Sequence, residues 1–316
     1  MMEIVRPGLL TTVQDGGRMG YQAYGVPVCG AMDWLSLALA NILADNHWEE
    51  AALEITGIGP AVRFEEDGIF AIAGADFSAT LNGLPLQNNG AYLAHKGDLL
   101  EMGAAKAGFR AYLAVSGGFD IPKVMESRST CLSAGFGGFE GRALKKGDRI
   151  GFRAPQMWLR NLPERRCRSF YEGNAPVQVV LGPQQDVFSA AGIQVFFKAE
   201  YRLGNQCDRM GCRLEGAEIS LKDGRTPNIL SDGIVMGSVQ IPNGQPIVMM
   251  ADRQTTGGYA KLGTVASCAL PLMAQKRPGD TVRFVEVSVE AAQMLRRKRI
   301  RQLKNLEREL NFAGRW

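Results

Sequence analysis

Histidine is nearly missing from this 316-residue sequence, which has only His47 and His95. A zinc site would need an unusual ligand set from so few imidazoles, and no metal is expected. Neither histidine has a nucleophile-elbow serine nearby, so serine–histidine catalysis has little to draw on. No apolar run reaches the roughly 18 residues that a membrane span requires. The opening residues, Met1 to Gly8, lack the basic-then-apolar pattern of a signal peptide, which makes a cytoplasmic location the expectation. The six cysteines are scattered without a C-x-x-C spacing, and a reducing compartment keeps them as thiols. The phosphate-loop pattern Gly-x-x-x-x-Gly-Lys-Ser/Thr is absent, as is any Ala-Met-Lys-Met-like segment able to carry covalent biotin.

Net charge is also close to zero over most of the chain, although charged residues make up an ordinary 22%. The net charge is +4, but Glu290 to Trp316 alone holds eight Lys/Arg against three Asp/Glu, so the other 289 residues sum to −1. That balance disfavours a nucleic-acid surface on the folded body.

What the sequence has in excess is glycine, 38 residues, about 12% against a usual ~7%. Short apolar stretches such as Ile69–Ala73, Ala111–Val115 and Val177–Leu181 alternate with turn signals, so strands outnumber helices. Asn82-Gly83 reads as a hairpin turn. The pattern Gly-Asp before a strand occurs at Gly97-Asp98, Gly147-Asp148 and Gly279-Asp280. Weaker echoes pair Gly59-Pro60 with Gly182-Pro183, and Ser116-Gly117-Gly118 with Thr256-Gly257-Gly258. Together they predict a mainly β protein of two related β-barrel-like halves, residues 1–152 and 177–286. Residues 153–176, with three prolines and a basic cluster, read as a linker. Helices are few: one over Trp34–Leu43 capped by Asp33, a weaker one over Val187–Phe197, and a basic terminal helix within 287–316. The terminal basic run is either a solvated face or a contact for an acidic partner.

Three clusters place charge among glycine and apolar residues. In Gln14-Asp15-Gly16-Gly17-Arg18, Asp15 either holds Arg18 or leaves it free to offer a planar fork to a carboxylate or phosphate. In Cys207-Asp208-Arg209-Met210-Gly211-Cys212-Arg213, strand alternation predicts Arg209 and Arg213 on one face, receiving an anion or forming an Asp–Arg network. In Asp252-Arg253-Gln254-Thr255-Thr256-Gly257-Gly258-Tyr259, polar groups at a strand end precede a glycine pair whose N–H groups are open to a ligand.

These residues resemble the biotin-dependent carboxyltransferase-like family, which includes the C subunit of 5-oxoprolinase, KipA-type proteins and allophanate hydrolase subunit 2. The resemblance also rests on Pro7-Gly8 to Arg18, Gly25-Val26-Pro27, Gly30-Ala31-Met32-Asp33, Ser127-Arg128-Ser129-Thr130, Gly182-Pro183-Gln184 and Ser231-Asp232-Gly233. It departs at Cys207, where serine is expected, and at Ala260, where proline is common. The resemblance implies cyclophilin-like β-barrel units. It implies a cytoplasmic hetero-oligomer with two partners: a B subunit, similar to allophanate hydrolase subunit 1, and an A subunit. The complex would use ATP to convert 5-oxo-L-proline to L-glutamate, with no biotin attached to this chain. Alternatives are a carboxyltransferase component acting on urea or a related amide, and a KipA-type regulator binding a kinase inhibitor. Asp15, Arg18, Asp208, Arg209 and Gln254 are the expected catalytic residues. Gln14, Asp33, Ser116, Arg128, Arg213, Thr256, Gly257, Gly258 and Tyr259 are expected around a small amide substrate. The clusters of the two halves are expected to meet in one cleft.

Overall fold

The computed structural model describes residues 1–168, 170, 173 and 175–312. Among these are four α-helices, α1 (Trp34–Leu43), α2 (Ala190–Lys198), α3 (Leu270–Ala274) and α4 (Val289–Phe312), in a mainly β chain. No helix among the described residues is long and apolar enough to cross a membrane. The chain divides into two compact units. The described residues of Met1–Met19, Cys29–Phe170 and Ile300–Trp316 form the first, and those of Gly20–Val28 and Tyr171–Arg299 the second.

The first unit has eleven strands: β1 (Met2–Arg6), β2 (Leu10–Gln14), β3 (Ala52–Thr56), β4 (Ala61–Phe64), β5 (Gly68–Asp76), β6 (Thr80–Leu81), β7 (Leu84–Pro85), β8 (Gly90–Ala94), β9 (Leu99–Glu101), β10 (Ala107–Val115) and β11 (Arg149–Ile150). They form a six-stranded sheet, β11-β1-β4-β9-β6-β7, and a five-stranded sheet, β2-β3-β10-β5-β8. Period-two alternation decides what each face buries. Phe70 and Ile72 of β5, with Ala111, Leu113 and Val115 of β10, join Ile4, Val62 and Phe64 in the core between the sheets. The intervening Ala71, Ala73, Tyr112 and Ala114 point to the opposite face, where α1 packs with Leu303 and Leu310 of α4. Alanine on that face lets the helix approach. The first half is therefore built from two packed sheets, and the closed barrel is in the second.

Helix α1 starts where expected. The Asp33 carboxylate accepts the N–H groups of Leu35 and Ser36 at 3.1 and 3.0 Å and the Ser36 hydroxyl at 2.7 Å. Residues 35–43 are all buried, so the helix is covered all round rather than along the single stripe of Leu35, Leu39 and Ile42.

The repeated Gly-Asp pattern proves to be one turn built three times. The carboxylates of Asp98, Asp148 and Asp280 each accept the N–H three residues back, at 2.8, 2.7 and 2.8 Å. The glycine before each aspartate has φ of 97°, 89° and 90°, a region that side chains disfavour.

The expected linker is partly built into the first unit. Arg165 is 1% exposed. It donates to the Leu43 and Ile42 carbonyls at 2.7 and 3.0 Å and lies 3.2 Å from Asp45. Three prolines give a linker-like composition; the buried guanidinium, satisfied by the end of α1, gives the opposite result.

The second unit has β12 (Val177–Leu181), β13 (Glu200–Cys207), β14 (Gly211–Glu215), β15 (Asn228–Gly233), β16 (Ser238–Gln240), β17 (Ile247–Met249), β18 (Thr256–Tyr259), β19 (Lys261–Val265) and β20 (Thr281–Glu286). Seven of them close a barrel, β12-β19-β16-β17-β14-β13-β20, sealed by the parallel pair β12–β20. Buried Val177, Val179, Tyr201, Leu203, Cys212 and Leu214 alternate with more exposed positions, whereas β16 is buried throughout. Phe196 of α2 stacks on Phe284 with ring centroids 4.6 Å apart. Strands β15 and β18 leave the barrel and pair as a two-stranded ribbon.

Candidate functional site

In the first unit the Gln14–Arg18 cluster is a structural clamp. Asp15 does not pair with Arg18. Its carboxylate accepts Gly17 N–H at 2.9 Å, Arg128 N–H at 2.5 Å, and the Ser127 and Ser129 hydroxyls at 2.7 and 2.5 Å. The Arg18 side chain is fully buried. It donates to the carbonyls of Val124 and Ser129 at 3.0 and 2.9 Å and lies 4.7 Å over the Phe136 ring. Two of the Arg18 nitrogens, Nε and Nη2, are thus engaged by backbone carbonyls, while Nη1 is buried with no hydrogen-bond partner among the described residues. Gln14 is equally buried and donates to Thr12 Oγ1 and the Thr130 carbonyl. Asp33 caps α1, and Ser116 is 1% exposed. Arg128 donates to the Ile121 carbonyl at 2.7 Å and lies 3.5 Å from Glu50. Burial pushes the Glu50 carboxyl up, but hydrogen bonds from Arg153 and Ala51 and the charges of Arg153 and Arg128 hold it below its ordinary value. Asp15→Asn places an N–H₂ against one of four donors. It is expected to destabilise the chain by about 1–3 kcal/mol, read from urea unfolding.

The second unit separates Arg209 from its expected companions. Asp208 is exposed and caps the turn between β13 and β14, accepting the N–H groups of Met210 and Gly211. Arg209 turns inward, 4% exposed, and forks onto Asp252 at 2.9 and 2.8 Å. Arg213, on β14 proper, is exposed. Arg209 and Arg213 therefore do not share a face, because Arg209 sits in the turn where strand alternation no longer applies.

The polar cluster that does converge lies where the ribbon meets the barrel. Lys261 opens β19 with its side chain 8% exposed, and its Nζ lies 2.7 Å from Asp232 Oδ2 on β15. The Asp232 carboxyl is held below its ordinary value by the Lys261 hydrogen bond, then by the Gly233 N–H, the Lys261 charge and a Gln184 side-chain bond. Gln184 Oε1 also accepts the Lys261 N–H at 3.3 Å. Directly across the ribbon from Asp232 is Gly257. A Cβ at Gly257 would lie 2.4 Å from Ile234 Cδ1, 2.8 Å from Gln240 Nε2 and 3.1 Å from Gln254 Nε2. Two primary amides thus bracket a position where any side chain would make Ile234, Gln240 or Gln254 shift. Gln240 is buried and donates to the Tyr259 carbonyl at 3.3 Å. Gln254, Thr256 and Tyr259 are exposed beside it, and Gly258 is half-buried. Gln22 ties the ribbon's ends, donating to the Ile234 and Thr255 carbonyls at 2.9 and 3.0 Å.

This arrangement offers a desolvated ammonium for developing negative charge and two amides able to match a planar amide. Gly257→Ala is expected to displace both amides and to weaken any reaction carried out at this site about 10- to 100-fold, read as kcat/KM. Of the residues in this cluster, the sequence singles out Gln254 and Gly257 as candidates, but not Lys261, Gln240, Asp232 or Gln184. The available signal was a lysine heading an otherwise apolar strand, Lys261-Leu262-Gly263-Thr264-Val265.

The comparisons with known proteins agree with this architecture. The model of the family described as carboxyltransferase domain, subdomain A and B, matches residues 24–286. The chain is 38% identical to the C subunit of 5-oxoprolinase from Escherichia coli, over 97% of this chain and 97% of that protein. It is 36% identical to the C subunit of 5-oxoprolinase from Haemophilus influenzae, over 94% of this chain and 95% of the other. The crystal structure of the Kluyveromyces lactis urea amidolyase superposes with a TM-score of 0.89 at 30% identity, covering 96% of this chain but 20% of the larger one. With a family model over most of its length and relatives alike from end to end, the chain belongs to the carboxyltransferase domain, subdomain A and B, family.

Proposed function

We propose that this chain is the C subunit of a 5-oxoprolinase, working with the A and B subunits in the cytoplasm to open the lactam of 5-oxo-L-proline at the expense of ATP and give L-glutamate. The observation that carries this reading is the end-to-end likeness to two bacterial C subunits, where urea amidolyase matches only through a fifth of its length. The chemistry of the site is consistent with it. A lactam is a planar amide, which Gln240 and Gln254 can match donor to acceptor. Opening it builds charge on the amide oxygen, which the Lys261 ammonium can stabilise.

The N-termini of α1 and α2 are occupied by Asp33 and by Ser189, whose hydroxyl accepts the Gly192 N–H at 2.9 Å. A carboxylate at the first of these repels phosphate. We assign ATP to the partner subunits of the proposed complex.

Co-purifying the chain with its A and B partners and measuring glutamate formation tests the proposal. Production dependent on both ATP and 5-oxoproline is expected. Absence of turnover, with carboxyl transfer to urea from a biotin carrier instead, would move the assignment to the carboxyltransferase reading that the urea amidolyase likeness favours. A tight complex with no turnover of either kind would favour a KipA-type regulatory role.

A further inference from the structure

Cys207 and Cys212 lie opposite each other across the β13–β14 hairpin. The Asp208 N–H donates to the Gly211 carbonyl at 3.2 Å, closing the hairpin one residue further in. Antiparallel pairs alternate between hydrogen-bonded and non-hydrogen-bonded positions, so this bond places Cys207 and Cys212 at a non-hydrogen-bonded position. There the Cα atoms stand about 4.5 Å apart with side chains on the same face, within the roughly 4.4–6.8 Å that a disulfide spans. Both residues are thiols in this structure. Their exposure differs: Cys212 is 2% exposed and faces the barrel interior, whereas Cys207 is half-buried.

We propose that Cys207 and Cys212 form a reversible disulfide site, with Cys207 as the thiol that meets the oxidant and Cys212 as the one that resolves it. The oxidant is a small disulfide such as oxidised glutathione. The Cys207 thiolate attacks one sulfur of that disulfide, forming a mixed disulfide and expelling one small thiolate. The Cys212 thiolate then attacks Cys207 Sγ, forming the intramolecular bond and expelling the second. The two protein thiols lose two electrons and two protons; the small disulfide gains both and leaves as two thiols. The product staples the base of the turn that aims Arg209 at Asp252, two residues before Gln254.

The test uses the full chain in native buffer with excess oxidised glutathione, followed by acid quenching, alkylation of the remaining thiols and mass spectrometry. Trypsin cleaves after Arg209, between the two cysteines, so the bond appears as Leu203–Arg209 joined to Met210–Arg213. That linked pair is expected to form in the native protein, to vanish with dithiothreitol, and to be absent from Cys207→Ser. In Cys212→Ala, Cys207 is expected to stop at the glutathione adduct, a readout that holds even if one variant folds poorly. The proposal is overturned if the native protein shows only the glutathione adduct at Cys207, a bond from either residue to another cysteine, or two unmodified thiols.

Discussion

Lys261→Met is expected to lower turnover of the proposed complex with A and B partners by about 100- to 1000-fold, the cost of removing one preorganised group that stabilises developing charge. Methionine keeps most of the buried stem, so β19 and its pairing with Gln240 of β16 are retained. The loss therefore falls on kcat rather than on assembly. Steady-state kinetics separates the two: kcat and kcat/KM fall together if the ammonium acts in the transition state, whereas a rise in KM alone would assign Lys261 to ground-state binding. A variant with unchanged kcat would remove Lys261 from the chemistry. Asp232→Asn is the paired control, because it leaves the ammonium in place but unneutralised.

The Asp232 carboxyl also predicts a pH dependence. Its pKa is depressed in the fold by Lys261 and Gly233, so its contribution is present above the ordinary aspartate range, near 3.9, and is lost only as pH falls through the lower folded value. Protonation of Asp232 accordingly does not break its pair with Lys261 above the ordinary aspartate range. An acid limb in the rate profile above pH of about 5 must arise from another group.

How far these features were readable from the sequence depends on how far apart in the chain the interacting residues lie. Asp33 capping α1 involves neighbours within three residues, and a cap-forming residue before an apolar run states it directly. The Asn82-Gly83 hairpin and the three Gly-Asp turns are equally local: Asn82 and Gly83 take φ of 52° and 78°, and each aspartate reaches back three positions. The partners of Asp15 and Lys261 were hidden for the opposite reason. Asp15 is satisfied by Ser127 and Ser129, more than 110 positions away, and Lys261 by Asp232, 29 positions away across the ribbon. Which polar groups meet is then set by strand order and register, and neither is written in a local motif. The same ambiguity covers the architecture of the first half. Strand-and-turn periodicity is common to two packed sheets and a closed barrel, and only the pairing of β12 with β20 distinguishes the second unit.

Asp252→Ala should be the most destabilising single change in the second unit. Asp252 is 4% exposed and Arg209 is 5% exposed at its side chain, so the two-bond fork between them is shut away from water. Removing the carboxylate takes a counter-charge and two hydrogen bonds from a buried guanidinium, at a cost of about 3–5 kcal/mol. A fall in the thermal midpoint on the order of 10 °C follows. The pair also closes a small backbone circuit, since the Asp252 N–H donates to the Arg209 carbonyl at 2.7 Å. Arg209→Met alone strands the carboxylate and costs a similar amount. The double replacement, Arg209→Met with Asp252→Leu, leaves neither charge alone. It should lie well above the sum of the single losses, because contacting residues are not additive. Additive losses would mean that the fork contributes nothing as a pair. The double variant also separates structure from chemistry. If it folds and the assembled complex keeps its turnover, Arg209 serves only to hold the hairpin of β13 and β14. If it folds and turnover is lost, the guanidinium must leave Asp252 for substrate in the working complex, restoring the catalytic role expected from its motif.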